Sequence, residues 1–340
     1  MGILGSKKAH SALGFLVSIA LVAWMVTSMD WQAVGGELAR FQWWALLPCS
    51  ALLVGHFYLR AWRWRYLLPP AQPGSAPVSI QKLFDSLIVG ALATFILPLR
   101  AGEFVRPFLL TRLSPYKFSS CFVSVIVERF FDLAVVLVSF AIVVSLVPNM
   151  PQWVQGGVVV LSVMGCGIFA LMVAGSFFPA FVTSIAARVL VLVPVKVRSG
   201  VEKFLSEFLD GAAVLRRGGR LFAVIALSCA VWGSCYVLFI AYFWLLDANS
   251  SLLVATTIAV IVALAVAAPS APGFIGVYQV AMIAGFSLFG LPEQQAVAYS
   301  IVTHLLQYVF FVVYGMIVLM RSHLSLSELR PGNQASSSGR

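Results

Sequence analysis

The sequence predicts an all-α polytopic membrane protein: six full spans and two re-entrant helical hairpins in an inverted repeat, with cytoplasmic N- and C-termini. Three observations lead there. Of 340 residues, 61% are hydrophobic and only 10% charged, against about 25% charged in ordinary soluble domains. Several apolar runs approach or exceed the roughly 20 residues that cross a bilayer. Two of those runs are broken by proline and glycine, at Leu97 to Arg112 and at 268–276 (Ala-Pro-Ser-Ala-Pro-Gly-Phe-Ile-Gly). Non-helical backbone at membrane depth is tolerated only where protein or a water-filled cavity surrounds it. The formal charge of +10 would suggest nucleic acid in a soluble chain. In a membrane chain it reflects the Lys and Arg of cytoplasmic loops, and no nucleic-acid partner is expected.

In chain order, Lys7 and Lys8 precede an apolar run from about Ala12 to Val26. Asp30 and Trp31 follow it in place of a small-residue cleavage site, so it reads as a retained first span. A second span covers about Trp43 to Leu59 and exits into Arg60, Arg63 and Arg65, interleaved with Trp62, Trp64 and Tyr66. Basic and aromatic residues at a span end form an interfacial anchor, with a lipid-phosphate contact as the further role. The run Leu83 to Leu97 dips in from the cytoplasm, turns at Pro98 to Gly102 and returns through Phe104 to Leu110. A full crossing there would leave Arg100, Arg106, Arg112 and Lys117 outside, against the positive-inside bias.

About Ser119 to Val147 then runs outward and Val154 to Phe177 returns. Residues 178–220 form a cytoplasmic amphipathic segment. Val201, Phe204, Leu205, Phe208 and Leu209 recur at a helical period, which suits a helix resting on anionic headgroups. Leu221 to Leu246 crosses outward. Leu252 to Ala268 dips in from outside, breaks at Pro269 to Gly273 and returns through Phe274 to Leu288. Gln295 to Met320 crosses back, and residues 323–340 are expected to be a disordered cytoplasmic tail. Residues 1–322 thus make one integral domain, with inverted halves at about 10–147 and 154–320. The layout places 18 of the 22 Lys and Arg residues in the cytoplasm, Arg40 outside, and Arg100, Arg106 and Arg129 in the membrane.

Inverted halves with broken helices are the pattern of transporters whose site lies at the midplane. Pro98-x-x-x-Gly102 aligns with Pro269-x-x-x-Gly273. Arg100, Glu103 and Arg106 lie at or just past the first tip. On a helical return arm Glu103 and Arg106 are i, i+3 neighbours able to pair. A guanidinium recognises phosphate bidentately, which suits a lipid headgroup; the alternative is that these arginines neutralise Glu128 and Asp132 within the bundle. Glu128, Arg129 and Asp132 sit roughly 14–20 Å into their span at the helical rise, where charge must pair or line a cavity. His304 reads either as a hydrogen-bonded packing residue or as a proton relay, and Gln307 lies one turn on. Tyr278 and Gln279 are candidate headgroup hydrogen-bonders. The five cysteines form no C-x-x-C pair, so no disulfide, metal or cofactor is expected. No G-x-S-x-G, H-E-x-x-H or P-loop is present, so the chain is expected not to be an enzyme.

The pattern Pro98-x-Arg100-Ala101-Gly102-Glu103-x-x-Arg106, then Glu128-Arg129-x-x-Asp132, then Pro269-x-x-Pro272-Gly273-x-x-Gly276 resembles the lysylphosphatidylglycerol synthase transmembrane, flippase-like, family over about residues 10 to 322. The resemblance implies an eight-segment integral domain of a bacterial or archaeal cytoplasmic membrane that handles polar lipids, aminoacyl-phosphatidylglycerol or polyprenyl-phosphate among them. It implies a central cavity containing Arg100, Gly102, Glu103, Arg106, Glu128, Arg129, Gly273 and Gly276. Gln279 stands where many relatives carry an acidic residue, and His304 where Arg is common. With no aminoacyl-transfer domain after residue 322, the chain is expected to move a lipid made elsewhere. The expected activity is that of a flippase or scramblase for a phosphate-containing lipid with an anionic or zwitterionic headgroup. One alternative is a non-transporting, lipid-carrier-binding accessory subunit of a cell-envelope glycosyltransferase or aminoacyl-lipid pathway; a more remote one is an intramembrane lipid-modifying enzyme working through Glu128, Asp132 and His304.

Overall fold

The computed structural model describes residues 16–69, 78–97, 100–147, 152–190, 195–216, 219–246, 250–267 and 270–322. These are helical with short connections, and no strand occurs among them. Lys7, Lys8, the corner prolines Pro98 and Pro269, and the tail 323–340 lie outside the described residues. Four described helices are long and apolar enough to cross a membrane, five if one bent pair counts as a single span. This is a multi-pass membrane protein. The chain divides into two compact units, built from Met1–Phe57, Asp85–Arg106 and Gly233–Arg340, and from Tyr58–Phe84 and Pro107–Trp232.

The first unit opens with the bent pair, α1 (Leu16–Ser28) and α2 (Trp31–Ala39), which turn by 86°. The bend has a local cause. Asp30 is extended and its Oδ1 accepts from the N–H groups of Gln32 and Ala33 at 3.0 and 3.1 Å, an N-cap that starts a new helix where the sequence predicted a span exit. The unit also holds the N-terminal part of α3 (Leu46–Leu67), the C-terminal part of α4 (Ile80–Ile96) and the start of α5 (Gly102–Leu113). From the far end of the chain come the end of α10 (Arg220–Tyr242), α11 (Leu252–Ala267), α12 (Val277–Ser287) and α13 (Glu293–Ser322). Its core is aromatic: Phe243 stacks on Phe286 at 5.4 Å, and Tyr299 packs between Tyr242, Phe243 and Phe286 while its hydroxyl donates to the Phe239 carbonyl at 3.1 Å.

Both helical breaks fold back on themselves. A Cβ on Gly102 would land on the Gly90 carbonyl oxygen and the Thr94 hydroxyl, and one on Gly90 would lie 2.8 Å from the Arg106 Cβ. Glycine at both positions lets α4 and α5 approach backbone to backbone, the small-residue packing that membrane helices use. Gly285 does the same for α12 against Ile258 of α11. At the second break, Gly273, Phe274 and Gly276 have φ of +69°, +59° and +85°. Such left-handed backbone ends one helix and aims the next, and it favours glycine.

In the second unit α6 (Phe118–Leu146) and α7 (Gln152–Phe177) run antiparallel, with Leu137 against Gly165 and the Phe131 and Phe169 rings 5.0 Å apart. Val159, Val160, Val163, Met164 and Leu171 of α7 are exposed. So wide an apolar surface fits hydrocarbon, not water. The predicted amphipathic segment forms α8 (Pro179–Leu190) and α9 (Val195–Ala212). Its apolar face does not lie wholly on lipid as expected. Phe208 packs on Phe130 at 5.9 Å, Leu209 is buried near Gly175, and Gly211 lies against Val123. Protein contact at the C-terminal end of α9 replaces headgroup contact, while Val201 stays exposed.

The basic-aromatic exit of the second span also differs from the expectation. Helix α3 does not stop near Leu59 but continues to Leu67. Arg63 and Trp64 are wholly buried, with the Trp64 indole N–H donating to Ser124 Oγ at 2.8 Å. Arg63 is thus packed inside the protein and is no interfacial anchor. The cause is the pair of carboxylates that it meets on α6.

Candidate functional site

The two breaks come together in the first unit. Helix α4 ends with the Leu97 N–H donating to the Ala93 carbonyl at 2.8 Å. Arg100 then takes a left-handed φ of +53° and its carbonyl accepts from the Glu103 N–H at 3.0 Å, opening α5. Across from it, the second break makes a tight turn at Pro272–Phe274, tied to α1 where the Ala271 N–H donates to Ser18 Oγ at 3.0 Å. The Arg100 guanidinium lies over the Phe274 ring, 5.6 Å from its centroid. Among the described residues these two are the non-glycine positions with positive φ, and they touch each other. Off-region backbone of this kind costs of order 1–3 kcal/mol and clusters at clamps and switches. Phe95 and Tyr308 complete the junction: their rings are 4.6 Å apart, Phe95 meets Phe274 at 6.0 Å, and Tyr308 fills the space that a Cβ on Gly273 would need.

Arg106 sits one turn into α5 and is buried, packed against Gly90. Glu103 is half-buried in the first turn of the same helix and makes no ion pair among the described residues. The expected Glu103–Arg106 pair is therefore not formed, although the i, i+3 spacing holds. Glu103 faces the positive end of the α5 dipole, and the close approach of α4 takes Arg106 under Gly90.

Behind the second break a hydrogen-bond chain fixes the remaining predicted residues. The Gly276 N–H donates to Gln279 Oε1 at 2.8 Å, and the other end of the amide, Nε2, lies 3.2 Å from His304 Nδ1. A main-chain N–H can only donate, so Oε1 must face it and Nε2 must donate to the imidazole. His304 is thereby held as the neutral tautomer protonated on Nε2. The Tyr278 and His304 rings stack at 4.4 Å, and Tyr278 shares a hydrogen bond with Thr303 at 3.1 Å. Tyr278, Gln279 and His304 are all buried. Gln279→Ala would orphan a buried N–H and leave His304 without its donor. We expect a loss of about 1–3 kcal/mol, read as a lowered midpoint of thermal unfolding in detergent.

Glu128, Arg129 and Asp132 stand in the second unit, where they form a charged cluster with two residues the sequence reading had placed at the interface. Arg63 Nη1 donates to Asp132 Oδ1 at 2.6 Å and to Ser228 Oγ at 3.2 Å, while Nη2 pairs with Glu128 Oε1 at 2.9 Å. One guanidinium therefore bridges two carboxylates a helical turn apart on α6. Arg60 and Arg129 approach Glu128 at 3.4 and 3.3 Å, Arg129 also approaches Asp132 at 3.3 Å, and the Trp232 indole N–H donates to Asp132 at 3.2 Å. Arg63 and Glu128 are fully buried, whereas the Arg129 side chain is 41% exposed. Sequence reasoning missed Arg60 and Arg63 as members. The signal was present in the Arg60-x-x-Arg63 spacing, which puts both cations on the helix face that can answer a Glu128-x-x-x-Asp132 pair.

Residues 11–315 match the family described as the lysylphosphatidylglycerol synthase TM region. The chain belongs to that family. No curated protein and no solved structure matches it. In this member of the lysylphosphatidylglycerol synthase TM family, the predicted motif residues fall into two groups. Arg100, Gly102, Glu103, Arg106, Gly273, Gly276, Tyr278, Gln279 and His304 lie in the first unit, and Glu128, Arg129 and Asp132 in the second.

Proposed function

We propose that this family member is a lipid transporter, a flippase or scramblase, that passes a phosphate-bearing headgroup across the cytoplasmic membrane while the tails stay in the bilayer. In this reading six helices span, the hairpins α4–α5 and α11–α12 enter from opposite leaflets as inverted repeats, and both termini are cytoplasmic. The observation that carries it is the meeting of the two hairpin tips at Arg100 and Phe274. A cation resting on an aromatic face contributes about 0.5–2 kcal/mol. A phosphate offers a guanidinium a charge-assisted, bidentate partner, so an incoming headgroup would draw Arg100 off Phe274 and part the tips. Arg106, held deeper, would receive the phosphate next, and neutral His304 and Tyr278 would offer hydrogen bonds without adding charge. In the second unit, half-exposed Arg129 is the cation placed to meet a headgroup, with Glu128 and Asp132 balancing it. The role is transport and not chemistry, driven by a gradient or by simple equilibration.

The test is reconstitution in liposomes carrying a fluorescent phospholipid, with quenching of the outer leaflet. Arg106→Ala is expected to lower translocation at least tenfold while the protein still inserts, and Arg106→Lys to retain part of the activity. Full activity in Arg106→Ala removes that residue from the path. An accessory subunit that only binds lipid carriers would bind the probe without accelerating its translocation, and an enzyme would change the lipid's mass in the same vesicles.

A further inference from the structure

At the other end of the first unit lies a second polar feature, remote in sequence from the hairpin tips. An open cleft of about 470 Å³ is lined by Glu37, Arg40, Phe41, Gln42, Leu246 and Gln295. It is held together by backbone, since the Gln42 N–H donates to the Leu245 carbonyl at 2.9 Å. Its volume falls in the range of small-molecule sites. Three tryptophans flank its lining residues along the chain. Trp43 and Trp44 follow Gln42, Trp244 lies two residues before Leu246, all three are exposed, and the Trp44 and Trp244 rings stack at 6.3 Å. Exposed tryptophans beside polar residues at helix ends mark the headgroup level of a bilayer. The cleft therefore opens where lipid headgroups are, with hydrocarbon-facing surface on one side.

Its charges are arranged as a dipole. Arg40 Nη1 lies 3.7 Å from Glu37 Oε1, an ion pair too long to be a hydrogen bond, so both groups keep donors and acceptors for a ligand. Gln295 belongs to the first turn of α13, where Glu293 already stands at the positive end of the helix dipole, so the anion-binding group of the cleft is Arg40. The Gln42 and Gln295 amides make no side-chain hydrogen bond to another described residue. A simple anion would meet Glu37 and a simple cation would meet Arg40. A ligand with a phosphate and a primary ammonium satisfies both.

We propose that this cleft binds the headgroup of a zwitterionic, amine-bearing phospholipid, with the phosphate on Arg40 and the ammonium on Glu37. The proposal needs only the membrane setting and does not depend on transport. It is tested with purified protein in detergent, titrated with short-chain phosphatidylethanolamine and with short-chain phosphatidylglycerol and followed by tryptophan fluorescence. The native chain is expected to prefer phosphatidylethanolamine. Glu37→Gln should remove that preference and leave phosphatidylglycerol binding intact, and Arg40→Gln should weaken both about tenfold, the loss of one charge-assisted contact. Equal affinity of the native chain for the two lipids, or unaltered preference in Glu37→Gln, overturns the assignment. Arg40 is on the surface and Glu37, half-buried at the end of a short helix, is replaced by an amide of the same shape; an unchanged unfolding midpoint in detergent checks that both variants are folded.

Discussion

Replacing Arg63 by Met is expected to cost about 3–5 kcal/mol, the penalty for removing one partner of a buried charge pair. The guanidinium is fully buried and makes the shortest contacts to both carboxylates, 2.6 Å to Asp132 and 2.9 Å to Glu128. Without it Asp132 keeps Arg129 and the Trp232 N–H, and Glu128 keeps Arg60 and Arg129, all at longer distances. The desolvation of both carboxylates would go largely unanswered. The result should be a sharp fall in the monodisperse fraction after mild heating, followed by fluorescence-detected size exclusion. Combining Arg63→Met with Asp132→Asn should recover a good part of the loss, because the carboxylate that loses its shortest partner becomes a neutral amide of the same shape and the cluster returns to its native excess of one cation. A single variant as stable as the native protein, or a double variant no better than the single one, would show that the cluster is not held from Arg63.

Gly102→Ala is the second substitution with a large expected effect. Its Cβ would meet the Gly90 carbonyl oxygen and lie 2.8 Å from the Thr94 main-chain nitrogen, and these backbone atoms cannot swing aside as a flexible side-chain end would. Overpacking of this kind costs typically about 1–3 kcal/mol. Here it would also push the hairpin open, moving Arg100 off Phe274 and Arg106 off Gly90. Both thermal stability and translocation should fall. Gly55→Ala is the control: it lies mid-helix in α3 with nothing within 4 Å of a Cβ, and alanine there should be neutral or stabilise by about 0.5–1 kcal/mol. If Gly102→Ala behaves like Gly55→Ala, close backbone approach is not what fixes the hairpin.

Much of this architecture was legible because the bilayer imposes length and hydropathy directly on the chain. The long apolar runs became α6, α7, α10 and α13 within a few residues of their expected ends. The Pro-Gly corners marked both helical breaks for a backbone reason that composition displays openly. Arg100 could be placed at a tip from the sequence, but not its contact, since Phe274 is a distant apolar residue with no polar signature. Arg63 failed for the opposite reason. Along the chain, arginines among tryptophans read as the end of a span, and only the carboxylates of α6, some 65 positions away, turn the same residues into a buried counter-charge. The α1–α2 bend has no proline or glycine between Leu16 and Trp31 to announce it, and Asp30 makes it by capping the next helix. The Glu103–Arg106 pair failed because helical spacing sets which side chains can meet, while neighbouring helices decide which of them do.

The bond from the Ala271 N–H to Ser18 Oγ joins positions 253 apart in sequence. Ribosomes add about 5–20 residues per second, so the first helix waits roughly 13–50 seconds for the partner that completes its surroundings. During that interval it resides in the membrane with its final neighbours not yet made. The surroundings of this early segment are therefore completed late, and the polypeptide becomes whole by closing back on its own beginning.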